Sequence, residues 1–341
     1  MSYQFYVGVD VSKSWLDIAV ANSRNSTEVL HFKVENNDEG LARVNGLIIA
    51  KWDDYSISHT LFCMEATGLY CYPLLQFLYL NKAAVWVENA VQIKRSVGIQ
   101  RGKSDKIDAL RIVQYAAKNT DKVRLWEPAR TIVDKLKHLS ALRERLVQTK
   151  KKLVVPVEEF RQMGNDMMAK TLEKAMRKSI KGIEDDIAGI EKQMKDIIDN
   201  DSHLKKLYTL ATSVIGIGFV TAVNLIVYTN EFKAIKDARK LACYCGVAPF
   251  EHTSGSSIKG RSKVSHMANK KLKTNLHMGS LSSVRLDEGL KAYYERKVAE
   301  GKNKLSVLNA VKNKLIARVI AVVKRERPYE KNYNTNALVL S

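Results

Sequence analysis

Four acidic residues in the first third of the chain have the chemistry to hold a divalent metal ion together. Asp10 ends the apolar run YVGVD, and Glu65 ends a second apolar run, TLFCME. Asp105 and Asp108 are three residues apart in a helical pattern, so they share one face of that helix. Carboxylate oxygens select Mg²⁺ or Mn²⁺, and such ions promote phosphodiester transfer by activating an oxygen nucleophile and stabilising the leaving oxygen.

Each carboxylate alone also has a structural explanation. Ser104 or Asp105 suits a helix N-cap, Asp108 a partner of the helix dipole, and Glu65 a surface position at a strand end. Asp10 is harder to explain in this way. It lies between Val9 and Val11, where an unpaired carboxylate is costly. The metal-site hypothesis therefore depends on the four residues together.

A second candidate for chemistry is a serine in the stretch ACYCGVAPFEHTSGSSIKGRSK, residues 242–263. Ser254 precedes Gly255, which permits a sharp turn that exposes the hydroxyl. Cations follow with no acidic residue between them: Lys259, Arg261, Lys263, Lys270, Lys271 and Lys273. A serine beside cations suits attack on phosphorus. A solvated basic loop that only holds a nucleic-acid backbone explains these residues equally well.

Two further residue types in this stretch suggest other chemistry. Cys243-x-Cys245 is tighter than the spacing of zinc sites and no second pair follows, so we expect both cysteines to pack as small apolar groups. His252 lies two residues before Ser254 and shares a side with it on an extended segment. His252 is therefore a candidate general base, or a residue that contacts the substrate.

The elements that position the carboxylates follow from hydrophobic periodicity. The pattern predicts three β-rich runs, a helix at 37–51, a strand TLFCME, a helix after Gly68, a strand AAVWVEN and a helix at 105–118. This βββαβαβα order with mixed pairing predicts an α/β RNase H-like domain over residues 1–128. In such a sheet, the strands that end in Asp10 and Glu65 are neighbours.

The rest of the chain reads as helical. Apolar residues at alternating spacings of three and four predict a coiled-coil helical hairpin over residues 129–208, with a break near 156–164. A helix packed within its own domain is the alternative. The helical patterns in residues 209–341 predict a mainly α domain. Gly216 and Gly218 there suggest a helix-hairpin-helix-like element that contacts phosphate, although a plain tight turn fits as well.

Charge and hydropathy define the class of protein. The chain has 56 Lys and Arg residues against 36 Asp and Glu, a net charge of +20, which indicates a polyanionic partner such as nucleic acid. No apolar run reaches membrane-spanning length and no signal-peptide pattern is present, so we expect a cytoplasmic protein, nucleoid-associated when bound to DNA. GVDVSK also resembles a phosphate loop of sugar kinases, but no second phosphate loop follows.

Six motifs together resemble the transposases of the insertion sequence 110 family, the bridge-RNA-guided recombinases. In chain order they are YVGVDVSK, MEATG with the following Tyr70, GKSDKIDAL, IGIGFVTAVNLI, CGVAPFEHTSG and LKAYYERKVAEGK. The resemblance implies a RuvC-like domain and, over residues 209–341, a C-terminal transposase domain. Its tetrad would be Asp10, Glu65, Asp105 and Asp108, which hold Mg²⁺, and its catalytic nucleophile would be Ser254.

The same resemblance implies partners that the residues themselves do not show. Members of the family form a phosphoserine with DNA, and a non-coding bridge RNA pairs with donor and target DNA. Their dimers assemble as tetramers in which one site combines carboxylates of one subunit with the serine of another. Two positions depart from the family pattern: His252 replaces a frequent aromatic residue, and Ala268 replaces a frequent glycine.

Two other functions remain open at this point. A metal-dependent, junction resolvase-like endonuclease would use the carboxylates without the serine. A non-catalytic nucleic-acid-binding scaffold would use the basic charge alone. DNA-contacting residues in any of these would include Lys259, Arg261, Lys263, Lys270, Lys271, Gly216 and Gly218.

Overall fold

The computed structural model describes residues 3–66, 68–96, 98, 102, 104–254 and 258–331, without the side chains of strand residues 25–27, 252–254, 258, 259, 261 and 262. It divides into two compact units, Met1–Pro128 and Ala129–Ser341. The further division of the second unit at residue 208 stays a prediction. Among the described residues, no helix has both the length and the apolar character that crossing a bilayer requires.

The first unit is built on a five-stranded mixed sheet with the order β3-β2-β1-β4-β5. Its strands are β1 Phe5–Val11, β2 Trp15–Asn22, β3 Asn25–Glu35, β4 Thr60–Glu65 and β5 Ala84–Glu88. Strands β1, β2 and β3 pair antiparallel, whereas β4 pairs parallel with both β1 and β5. The predicted mixed sheet, with the first strand beside the strand that ends in Glu65, is confirmed.

Helices cover both faces of this sheet. They are α1 Asp38–Ile49, α2 Tyr72–Leu80, α3 Ala90–Ser96 and α4 Asp105–Lys118, with short 3₁₀ turns at Ile57–His59, Gly68–Cys71 and Thr120–Lys122. Alternation along β1 explains the layers: Phe5, Val7 and Val9 pack with α1 and α2, and Tyr6 packs on the other face with α4. The predicted helix at 105–118 is observed with the same bounds.

Helix α4 lies directly against strand β1 because β1 has a glycine at the crossing point. A Cβ on Gly8 would lie 2.3 Å from the backbone nitrogen of Val113 and 2.6 Å from the carbonyl oxygen of Ala109. No side chain fits in that space. The glycine thus sets the distance between the sheet and the helix that carries Asp105 and Asp108.

The second unit begins with two long antiparallel helices, α5 Thr131–Gln162 and α6 Asp166–Asp199. Three ion pairs, spaced along the length of the two helices, connect them: Arg143–Glu191, Lys150–Glu184 and Arg161–Glu173. The helical hairpin is therefore present, and its coiled-coil packing stays a prediction. Helix α5 continues through Pro156, and the chain turns only at residues 163–165.

Shorter helices and one hairpin complete the second unit. They are α7 Ser202–Thr212, α8 Phe219–Tyr228, α9 Ala238–Tyr244, β6 Pro249–Ser254, β7 Ile258–Val264, α10 Lys270–Leu286, α11 Glu288–Ala299 and α12 Lys304–Arg325. Its core joins residues of α5, α6, α8, α10 and α12, so the long hairpin and the C-terminal helices share one hydrophobic core.

Candidate active site

The ends of two neighbouring strands bring the first two predicted carboxylates together. Val9 of β1 is in register with Met64 of β4 in a parallel pair. Asp10 and Glu65 are the next residues on each strand, so both lie at the same edge of the sheet. On the other side of β1, Asp17 of β2 is directly opposite Asp10.

The first turn of α4 supplies the other two carboxylates. Ser104 caps the helix by accepting a hydrogen bond from the Ile107 backbone nitrogen at 3.3 Å, which starts the helix directly before Asp105. Because Gly8 lets α4 approach the sheet, Asp105 and Asp108 come close to Asp10. The cap role predicted as an alternative for Asp105 belongs to Ser104.

Electrostatics shows that the four predicted carboxylates act on one another. Burial and then the negative charges of Asp108, Asp105 and Glu65 together raise the pKa of Asp10 to about 6. The pKa of Glu65 is also raised, first by burial and then by Asp108, while Lys94 opposes the change. Asp10 has no hydrogen bond or ion pair with another described residue. The site therefore has more negative charge than its surroundings neutralise.

Cations of the protein already hold some of these carboxylates. Arg111 donates to Asp108 at 2.7 Å, and the ammonium of Lys33 lies 3.0 Å from Asp17 and 3.8 Å from Asp105. In the part of the chain that the structure describes, no three Asp, Glu, His or Cys side chains are arranged as a metal-binding group. The donor set nevertheless fits a hard divalent cation, because it is all oxygen and no described cation forms an ion pair with Asp10.

Sequence patterns missed several residues of this site. Asp17 is buried and is held by His31 at 3.2 Å as well as by Lys33. Its position inside the apolar strand WLDIAVAN was the available signal. Asn36 donates to the carbonyl oxygens of Ser12 and Tyr70, each at 2.9 Å. It thereby ties together the turns that follow Asp10 and Glu65.

The candidate nucleophile Ser254 ends strand β6. Its backbone pairs with Ile258 of β7, and His252 pairs with Gly260. The following residues 255–257, with Gly255, lie outside the described residues. A loop is predicted over this stretch from its serines and glycines, but residues 249–254 and 258–264 form a two-stranded sheet. Backbone pairing between the two segments outweighs the weak strand propensity of their polar residues.

The other predicted phosphate-contacting residues are dispersed. Lys263 and Lys270 are exposed. Lys271 instead donates to the hydroxyl and carbonyl oxygens of Ser140 at 2.9 and 3.2 Å. Gly216 has φ +97°, and a Cβ there would lie 2.5 Å from the Gly279 carbonyl oxygen, so helix packing already requires this glycine. Gly218 precedes α8 in open space, and phosphate contact by either glycine stays a prediction.

Two features around this hairpin follow from packing. Cys245 is fully buried in the core and Cys243 is partly buried, as small apolar groups would be. A Cβ on Gly246, which has φ +62°, would lie 2.4 Å from the Cβ of Ala268. The departure from the family pattern at Ala268 is therefore accommodated by the absence of a side chain at Gly246.

Two family models match successive parts of the chain. One, described as "Transposase" for the DEDD proteins of IS110, matches residues 7–159, and the other, "Transposase IS116/IS110/IS902 family", matches residues 208–295. The chain belongs to the IS110 family of transposases. This IS110 transposase is accordingly an enzyme that acts on DNA, in transposition or recombination.

Two curated relatives align with almost the whole of this chain, and a third aligns with part of it. The pilin gene-inverting proteins of Moraxella lacunata and Moraxella bovis are each 28% identical over 330 residues, which is 96% of this chain and 98% of theirs. The insertion element IS110 uncharacterized 43.6 kDa protein of Streptomyces coelicolor is 29% identical over 124 residues, 36% of this chain and 30% of that protein.

One solved structure resembles part of the IS110 transposase. It is T. thermophilus RuvC in complex with a Holliday junction substrate, at 12% identity and a TM-score of 0.26, covering 36% of this chain and all of that one. The likeness is too slight to bear on fold or function.

Proposed function

We propose that this IS110 transposase cuts and rejoins DNA strands through a covalent phosphoserine at Ser254, with Mg²⁺ held by Asp10, Glu65, Asp105 and Asp108. The observation that carries the proposal is the state of Asp10. It is a partly buried carboxylate surrounded by other carboxylates, and among the described residues it has no ion pair or hydrogen bond, although the charge of Lys33 acts on it from a greater distance. Mn²⁺ has the same ligand preference and would substitute for Mg²⁺.

When bound, a divalent ion at these carboxylates would supply positive charge to phosphoryl oxygens and lower the barrier to attack on phosphorus. The protein contributes the positions of the ligands. The sheet edge fixes Asp10 beside Glu65, and the cap at Ser104 fixes the first turn of α4. Arg111 and Lys33 hold the side chains of Asp108 and Asp105 in position.

The metal part of the proposal is tested by binding rather than by activity. Mg²⁺ or Mn²⁺ should raise the melting temperature of the wild-type protein and leave that of Asp10→Asn unchanged. Asp53→Asn is the matched control, because Asp53 is an exposed aspartate of the same unit. An equal rise in the wild type and in Asp10→Asn would contradict a metal site at Asp10.

The serine step balances without a further reactant. The Ser254 oxygen attacks phosphorus, its proton passes to a base, and the bond from phosphorus to one DNA oxygen breaks as that oxygen takes up a proton. A hydroxyl of the second DNA strand then attacks the phosphoserine and restores the serine hydroxyl. His252, two residues earlier on β6, is the candidate base or substrate contact.

A suicide substrate tests the nucleophile. In a nicked DNA substrate, the released strand is short and diffuses away, so the covalent protein–DNA product accumulates. The product should form with wild-type protein, Ser256→Ala and Ser257→Ala, and disappear with Ser254→Ala. If the adduct still forms with Ser254→Ala and disappears with Ser256→Ala or Ser257→Ala, the nucleophile is that other serine. Cleavage of branched DNA by Ser254→Ala at the wild-type rate would favour a resolvase-like nuclease.

We further propose that a non-coding bridge RNA pairs with donor and target DNA, and that the active assembly is a tetramer formed by two homodimers. The net charge of +20 supports a large nucleic-acid partner. RNA that co-purifies with the protein should map to non-coding sequence beside the gene. Recombination at full rate without that RNA would contradict guidance.

Mixing two inactive variants tests whether one active site combines residues of two subunits. Asp10→Asn and Ser254→Ala should each be inactive alone. Their mixture should regain activity if carboxylates of one subunit work with the serine of another. A mixture that stays inactive, although mixed oligomers form, would show that each site is built within one chain.

A second candidate reaction is inversion of a DNA segment, because the two full-length relatives are pilin gene-inverting proteins. The same serine and carboxylates would act, with both sites on one DNA molecule. A plasmid with inverted copies of the recombination site would report it by a change in restriction pattern, whereas a free or integrated element would report transposition.

A further inference from the structure

One lysine of helix α12 lies on the helix face that packs into the core. Lys312 follows Val311 and precedes Leu315 in the apolar pattern of this helix, and only 7% of its surface is exposed. It has no hydrogen bond or ion pair with any residue that the structure describes. The ammonium nitrogen is not among the fully buried polar atoms that lack a partner, so it keeps contact with solvent at the end of a buried side chain.

The neighbouring charge that acts on Lys312, that of Lys273, is also positive. Lys273 and His277 are four residues apart on α10, which packs against α12, and so they share one helix face. Burial lowers the pKa of Lys312, and the charge of Lys273 lowers it further. Burial and then Lys312 lower the pKa of His277 in the same way. No carboxylate acts on Lys312 among the described residues.

This group, Lys273, His277 and Lys312, lies at the base of the hairpin that carries Ser254. Asn309 and Asn313 of α12 both donate to the Val247 carbonyl oxygen, at 2.7 and 2.9 Å. The chain enters β6 at Pro249, two residues later. The side chain of Lys273 also reaches Gly246, whose added Cβ would lie 3.8 Å from the Lys273 Cδ.

Lys271 of α10 is an example of a lysine with a structural role inside the protein. Lys271 is partly buried, but two oxygens of Ser140 accept its hydrogen bonds. The hydroxyl of Ser140 in turn donates to Asn224, and Asn224 donates to Asn275. Lys312 has no comparable partner among the described residues, and its ammonium is accessible to a ligand from solvent.

We infer that Lys312, together with Lys273 and His277, binds a backbone phosphate of the DNA strand that reaches the Ser254 hairpin. A phosphate would supply the missing negative charge and would accept hydrogen bonds from the ammonium. That the strand is DNA rests on the proposed function. The binding of a phosphate anion does not depend on it.

Lys312→Met tests the anion site, because methionine keeps the length and apolar character of the side chain and removes the charge. In phosphate-free buffer the variant should be at least as stable as the wild type. Inorganic phosphate should raise the melting temperature of the wild type and leave that of the variant unchanged. Equal stabilisation of both by phosphate would overturn the inference.

DNA binding gives the second readout. For a DNA duplex, the slope of log affinity against log salt concentration should fall by about one in Lys312→Met, because one phosphate contact is lost. Lys273→Met should lower the slope as well, and it serves in place of Lys312→Met if that variant fails to fold. Lys304→Met is the control, since Lys304 is exposed at the start of the same helix.

The remaining outcomes separate this site from the proposed chemistry. An unchanged slope in Lys312→Met would overturn the inference even if Ser254 forms its DNA adduct. A lower slope without any adduct at Ser254 would leave the phosphate site standing and reject the serine mechanism. If the slope changes for an RNA duplex of the same length and not for DNA, the assignment to DNA is wrong.

Discussion

Replacing Gly8 by alanine should separate the two halves of the carboxylate site. The added Cβ would lie 2.3 Å from the Val113 backbone nitrogen and 2.6 Å from the Ala109 carbonyl oxygen. These are backbone atoms of α4, which cannot rotate away as a side chain can. Either the helix moves or the strand bends, and both increase the distance from Asp10 to Asp105 and Asp108.

The size of the effect follows from these contacts. Ordinary contacts of a Cβ begin near 3.4 Å, so the helix must move by about 1 Å. Overpacking of this kind costs about 1–3 kcal/mol of unfolding free energy. A displacement of about 1 Å between catalytic groups lowers a reaction rate by about 100-fold. We therefore expect Gly8→Ala to fold, to melt several degrees lower, and to lose most of its strand-cleavage activity.

Gly46→Ala is the matched control. Gly46 lies inside α1 of the same unit, and a Cβ there would meet no atom within 4 Å. Alanine in a helix interior should raise stability by about 0.5–1 kcal/mol and leave activity unchanged. The assays are thermal denaturation and the rate of cleavage of the element's end in the presence of Mg²⁺.

Two results would refute this reasoning. Wild-type activity in Gly8→Ala would show that the site tolerates movement of α4, or that α4 does not supply catalytic carboxylates. An equal loss of activity in Gly46→Ala would show that any added methyl group in this unit is harmful. In the second case, the close approach at Gly8 would have no special role.

Three further substitutions test charges and contacts elsewhere. Because the pKa of Asp10 is raised, the stability that its protonated form contributes is complete below pH 3.8 and is lost as pH rises through about 6. Without metal, Asp10→Asn should therefore be about 1–2 kcal/mol more stable than the wild type at pH 8 and little different at pH 4. Urea denaturation at the two pH values measures this difference. Arg130→Met should cost about 3 kcal/mol, because Glu231 is fully buried and Arg130 donates to it and to Asp201. The hydrogen bonds of Arg130, and then that of the Leu204 backbone, lower the pKa of Asp201 to about 2. Stability present above pH 3.8 is therefore lost as pH falls towards 2, and an acid titration of Arg130→Met should show a smaller loss. Asn36→Ala removes the amide that joins the turns after both strand-end carboxylates, and it should slow cleavage about tenfold at unchanged DNA affinity, measured by single-turnover kinetics.

Local sequence signals were sufficient to predict the position of α4 and the placement of Asp10 beside Glu65. Ser104 is a strong cap, and the pattern after it has helical period, so the helix at 105–118 could be predicted to its bounds. The two strand ends meet because both strands are apolar and lie side by side in parallel pairing. These features depend only on residue type and spacing.

Features that depend on distant contacts could not be predicted in this way. The need for Gly8 arises from the backbone of a helix about 100 residues later in the chain. The hairpin at 249–264 has loop-like composition, and its strands exist because two segments pair with each other. Pro156 reads as a helix breaker, yet Val157 beside it is buried and the helix continues along α6.

Charged residues inside apolar patterns divide into two kinds once their partners are known. Asp17 and Glu231 are both buried, and each is neutralised by cations of the protein itself. Asp10 and Lys312 lie in equally apolar stretches and have no such partner among the described residues. Unpaired charge in such surroundings is unfavourable, so each residue is a candidate to bind a ligand of opposite sign. On the proposed function, a metal ion would supply the charge opposite to Asp10, and a DNA phosphodiester would supply the charge opposite to Lys312.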